Sequence, residues 1–143
     1  MTLLIGFVNA VIFILLGAIH IYWGMGGKWG SKQALPQNLE TEKPVFLPGL
    51  VACFIVALGL FSMAFLTLNQ ADIININLPN VLKNYGMYAI GAIFLLRALG
   101  DFKYAGFFKS IKNTEFAKLD TLFYTPLCLY LGLTSFTIGL NTQ

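Results

Sequence analysis

Charge is what this sequence has least of. Only 10% of its 143 residues are Asp, Glu, Lys or Arg, against 57% hydrophobic residues and a mean hydropathy of +0.75. A chain with so little polar surface cannot coat a water-soluble domain, which excludes the ordinary cytosolic enzyme or regulator. Histidine occurs once and cysteine twice. One imidazole without H-x-x-E or H-x-x-x-H spacing makes a poor zinc site, so neither a metal nor another cofactor is expected. Cys53 and Cys128 each stand alone in an apolar run, which argues against a disulfide framework or redox pair and for buried free thiols. The glycines contain no G-x-x-x-x-G-K-[ST] pattern and follow no strand, so no phosphate loop is indicated.

What fills the space is long apolar runs. Crossing a hydrocarbon layer roughly 30 Å thick takes about 20 residues in a helix. Four stretches qualify, at about 2–25, 45–68, 84–103 and 119–140. The expected fold is therefore all-α: a polytopic membrane protein forming one four-transmembrane-helix bundle. The first run has no basic residue before it and no A-x-A-like cleavage site, so it reads as a helix and not a signal peptide.

The few charges are unevenly placed. Lys28, Lys32 and Lys43 fall between the first and second runs, and Lys103, Lys109, Lys112 and Lys118 between the third and fourth; the other side has only Lys83. By the positive-inside rule, loops 26–44 and 103–118 face the cytoplasm of an inner-membrane protein and both termini lie outside. The net charge of +3 is then explained by attraction to anionic lipid headgroups, with no nucleic-acid partner required.

In the first run, Gly6, Asn9, Phe13, Gly17, His20 and Gly24 recur at helical spacing and predict a face of small and polar groups turned toward the other helices. Pro48 sits near the start of the second run, and Pro126 should loosen the entry of the fourth by removing a backbone donor. The stretches containing Phe46-Leu-Pro48 and Phe123-Tyr-Thr-Pro126 are faintly alike, as in a parallel repeat.

Taking Lys83 and Lys103 as the two boundaries of the third helix puts Arg97 about 9 Å inside the cytoplasmic boundary and Asp101 about 3 Å inside. His20 precedes Lys28 by about 12 Å of helix and falls at a similar depth. Asp120 and Tyr124 open the fourth helix from the same side. A polar layer of His20, Tyr22, Trp23, Arg97, Asp101, Tyr104, Asp120 and Tyr124 is therefore expected at the cytoplasmic end, where it could bind a ligand. An arginine within a spanning helix costs at least ~2.5–3.5 kcal/mol and must be paired or hydrated. Arg97 either snorkels, pairs with Asp101 one turn away, or holds a ligand. Asp120 is either part of the layer or a helix N-cap, and Trp23 and Trp29 read as interface anchors. Ser62 and Ser135 fall toward the other side from His20, which leaves no serine triad.

The segments His20-Ile-Tyr-Trp-Gly, Gly26-Gly-Lys-Trp-Gly, Arg97-x-x-Gly-Asp-Phe-Lys-Tyr-x-Gly-Phe-Phe-Lys109 and Asp120-x-x-x-Tyr-x-Pro-Leu resemble a family of small four-helix bacterial membrane proteins classified only as a domain of unknown function. That resemblance implies a compact bundle and carries no activity. Three functions stay open. The layer could bind or transport a small amphiphilic or anionic ligand through Arg97 and His20. It could be an enzyme using His20 or Asp101 on a lipid or quinone-like substrate, with Tyr124 as a donor. Or the chain could be a structural subunit, as a homo-oligomer or with another membrane protein, surrounded by membrane lipids.

Overall fold

In the computed structural model, residues 1–38, 40–41 and 43–142 are described, Lys32 by its backbone alone. Six α-helices follow one another: α1 (Thr2–Gly24), α2 (Ser31–Ala34), α3 (Leu50–Gln70), α4 (Asn80–Leu99), α5 (Glu115–Leu119) and α6 (Thr125–Asn141). A π-helical turn, Asp120–Tyr124, joins α5 to α6 without a break. The described residues contain no strand, only a bridge between Gln37 and Pro44. The architecture is all-helical, as its sequence implies.

Three segments, Thr2–Gly24, Leu50–Gln70 and Glu115–Asn141, are long and apolar enough to cross a membrane. This makes the chain a membrane protein. Helix α4 has comparable length, 20 residues, but carries Asn80, Lys83, Asn84 and Arg97, which shorten its apolar stretch. The exterior is apolar too: Leu4, Leu15, Val51, Ile55 and Leu58 are exposed, a surface suited to lipid tails and not to water.

Helix ends depart from the expected boundaries for identifiable reasons. The second long helix starts at Leu50, not 45, because Pro48 disfavours helical backbone in the residue before it and Gly49, the N-cap, is extended. Helix α4 starts at Asn80, just after Pro79, and stops at Leu99, not 103. Gly100 terminates it at φ 87°, and Gly106 has the same φ. A Cβ at either glycine would run into backbone of the other's segment, so only glycine lets the chain fold back there. The Phe107 N–H then donates to the Ala98 carbonyl at 2.9 Å. The last long helix starts at Glu115, not 119, capped by Thr114, whose Oγ1 accepts the Ala117 N–H at 3.1 Å. Asp120 is thus not an N-cap. Pro126 produces the expected loosening as the wider π turn immediately before it, since the ring cannot donate and crowds the carbonyl four residues back.

α1 packs chiefly on α3 and α4 chiefly on α6, giving two helical hairpins laid side by side. The predicted small face of α1 is buried at Gly6, Asn9, Phe13 and Gly17. Phe13 meets Phe94 with ring centroids 5.4 Å apart, and Leu60, Met87, Leu131 and Ile138 complete the core. Asn9 Nδ2 donates to Thr134 Oγ1 at 2.9 Å and ties the hairpins together. Cys53 is a buried free thiol and Cys128 is partly buried.

Within the α4–α6 hairpin, a Cβ on Gly91 would press against the Phe136 ring at 2.5 Å and one on Gly132 against Leu95 at 2.7 Å. Gly91→Leu should therefore cost about 1–3 kcal/mol through overpacking. Thermal unfolding in mild detergent reads this directly; an unchanged midpoint would show that the glycine contact does not set helix separation.

Candidate functional site

The polar centre is a single carboxylate. Asp120 has no solvent exposure. Its Oδ1 accepts from Arg97 Nη2 at 2.9 Å. Its Oδ2 accepts from Lys109 Nζ at 2.9 Å, from the Gly106 N–H at 2.8 Å and from Thr125 Oγ1 at 3.1 Å. Lys109 Nζ also donates to the Gly106 carbonyl at 3.2 Å. Four donors on one buried carboxylate meet the requirement that a charge removed from water be both paired and hydrogen-bonded. One comes from α4, two from the fold-back after it and one from the first residue of α6, while Asp120 itself opens the π turn.

Arg97 is therefore paired with Asp120 and not with Asp101. Once Gly100 ends the helix, the one-turn geometry that would bring Asp101 beside Arg97 is lost. Asp101 is exposed and accepts three backbone N–H groups instead, from Lys103 at 3.0 Å, Tyr104 at 2.7 Å and Ala105 at 2.9 Å. Burial pushes its carboxyl up, but these bonds and the nearby Arg97 more than offset that, and its pKa lies below the ordinary value. Arg97 is in the last turn of α4, where a cation suits the helix dipole, and not deep within the span as counting back from Lys103 suggests. Lys109, placed by charge counting in the solvated rim, is buried.

Two cations share one anion, so the Arg97–Asp120–Lys109 cluster has an excess charge of +1. Arg97 Nη1 is buried and has no hydrogen-bond partner among the described residues. Beside it lies a cleft of about 1010 Å³ between the two hairpins, at the end carrying the lysine-rich loops. Its walls are mostly apolar, with Leu60, Ile93, Phe94, Leu127 and Leu131 from the long helices.

Of the residues expected to meet there, His20, Trp23, Arg97 and Tyr124 line the cleft. His20 Nδ1 is 2.7 Å from the Leu16 carbonyl, which can only accept, so Nδ1 carries the proton and Nε2 is left as an acceptor in the neutral ring. Its ring meets Trp23 edge-on at 5.3 Å. No described hydrogen bond links His20 to a carboxylate, hydroxyl or thiol, so no acid–base pair is assembled around it. Tyr124 reaches the Gln33 carbonyl at 3.4 Å. Asp120 stands behind Arg97 as its anchor and does not line the cleft. Tyr22, Asp101 and Tyr104 do not line it either. The Tyr22 hydroxyl receives the Trp29 N–H at 3.4 Å, and Tyr104 lies under the Lys103 ammonium, 5.1 Å from its ring centre.

Sequence reasoning misses Trp29 as a wall and Lys109 as the third member of the cluster. Trp23 Nε1 donates to the Trp29 backbone carbonyl at 2.8 Å, and both tryptophans line the cleft. The signal for Lys109 is the Gly100 and Gly106 pair, which marks a reversal able to carry a loop lysine back to the helix. Among the described residues, no three His, Cys, Asp or Glu side chains come together to hold a metal.

Asp120→Ala leaves two cations without their counter-ion and should lower stability by about 3–5 kcal/mol. Adding Lys109→Met should recover part of that loss in the same detergent unfolding measurement. If the single and double variants are equally unstable, Lys109 is not coupled to Asp120.

The chain matches the family described as protein of unknown function DUF3995 over residues 13–135, and so belongs to it. No curated protein and no solved structure matches the chain.

Proposed function

We propose that this protein is a four-span inner-membrane protein that binds or carries a small amphiphile, whose acidic or polar head is held by Arg97 at the cytoplasmic end. The observation that carries this reading is the buried Nη1 of Arg97, without a partner among the described residues, at the edge of a large apolar cleft. A guanidinium nitrogen out of water loses the hydration it would otherwise have, and an acceptor on a ligand restores a charge-assisted hydrogen bond there. The apolar and aromatic walls suit the remainder of such a molecule. His20 Nε2 supplies a second polar contact.

The helix directions support the orientation. α1 and α4 run toward the end where loops 25–49 and 100–114 lie, while α3 and the α5–α6 segment return from it. Lys28, Lys43, Lys103, Lys112 and Lys118 are all exposed on that end's connections, so it takes the cytoplasmic side, with α4 as the fourth span and the termini outside. Binding is favoured over catalysis because, among the described residues, no base or nucleophile is hydrogen-bonded to His20. It is favoured over a purely structural cluster because Asp120 satisfies only one end of the guanidinium.

Organic extraction of the purified protein followed by mass spectrometry tests this. An amphiphile should co-purify in near-stoichiometric amount and be lost from Arg97→Gln, while the variant's elution and helical content are retained. Unchanged co-purification in the folded variant would end the reading.

A further inference from the structure

The cleft has two possible entrances, and they differ in what guards them. Toward the aqueous end it is roofed by the loop after α1. Trp29 is tied to Trp23, Gln33 is bonded to Tyr124, and α2 packs on α5. Sideways, between α3 and α4, the wall is thin. These two helices approach near the opposite end, where a Cβ on Gly86 would collide with Leu66. Higher up, toward the cleft, Val56 on α3 and Ile93 on α4 both line it and are both exposed. Gly59, about one turn from Val56 on α3, is also a lining residue, and its added Cβ would meet nothing within 4 Å. Every other glycine inside a long helix would meet a neighbouring chain segment if given a Cβ. Gly59 therefore serves no close helix contact, and the space it leaves lies on the open side of the cleft.

We propose that the cleft is loaded sideways from the bilayer through this α3–α4 opening at Gly59, and that its ligand is a single-chain amphiphile with a monoanionic carboxylate head. The proposal rests on the binding reading above and specifies its route and ligand class. The head class follows from charge. The Arg97–Asp120–Lys109 cluster carries +1, which one carboxylate neutralises, whereas a phosphomonoester dianion would leave one negative charge uncompensated between the helices. An alcohol would leave the +1 unmatched. The chain class follows from dimensions. From Val56 to Met63 the cleft wall extends about 10 Å along α3, room for part of one hydrocarbon chain beside Arg97, and the missing side chain at Gly59 lets the rest run out among the lipid tails.

The chain's two tryptophans both line this cleft and serve as the reporter. The full-length protein in phosphatidylcholine nanodiscs is titrated with palmitic acid brominated beside its carboxylate, and quenching of tryptophan fluorescence is followed. Saturable quenching is expected, with dodecanoate competing roughly tenfold more strongly than dodecyl phosphate or dodecanol. Gly59→Phe, which meets no neighbour at its Cβ, should keep the fold and weaken quenching by roughly tenfold or more, while Gly59→Ala stays close to the parent protein. Equal quenching in Gly59→Phe would overturn the lateral mouth and leave binding intact. Equal competition by the phosphate or the alcohol would overturn the carboxylate assignment alone. Absence of saturable quenching in the unsubstituted protein would overturn this proposal together with the reading it rests on.

Discussion

A carboxylate with no solvent exposure is the constraint around which the loop-bearing end of this molecule is arranged. Asp120 has to be ionised, paired and fully hydrogen-bonded to be tolerated there. Its four donors come from parts of the chain that have no other reason to converge. Arg97 ends α4 at the right level. The reversal at Gly100 and Gly106 brings back both a backbone N–H and the Lys109 ammonium. The π turn starts at Asp120 itself and brings Thr125 under the same oxygen. Taking away any one of these leaves a buried charge short of a partner, so the end of α4, the fold-back and the entry of α6 hold one another in place.

The same cluster separates what the two hairpins do. Away from it, glycines and the Asn9–Thr134 bond draw the helices close, and Phe13, Met87 and Ile138 are fully buried in the core. Near it, the gap between the hairpins is the cleft, with Arg97 and several aromatic side chains on its walls. A cluster with one more positive than negative charge, set beside an apolar cavity in a membrane protein, leaves a defined electrostatic deficit. Lipid tails cannot fill that deficit, and an acidic headgroup can.

Much of this fold was legible in the sequence, because helical spacing and apolar length act locally. The small face of α1, at Gly6, Asn9, Phe13 and Gly17, is buried as its spacing implies, and Pro126 loosens the helix beside it. The site was only half legible. His20, Trp23, Arg97 and Tyr124 do meet, because each sits on a long helix near the same end. Arg97 and Asp101 stand one helical turn apart in sequence, but the helix stops at Leu99 and Gly100 turns the chain away. The true partner is distant in sequence, and the third member lies in a loop whose lysines all look alike until the two left-handed glycines show that this one is carried inward.

The most direct measurement is a high-resolution structure of the protein extracted with its own membrane lipids and never exposed to strong detergent. The account predicts non-protein density in the cleft, with a head group within hydrogen-bond distance of Arg97 Nη1 and an apolar portion running toward Gly59, while Asp120 still holds Arg97 and Lys109. A cleft closed by side chains, with Arg97 fully satisfied by protein groups, would contradict it.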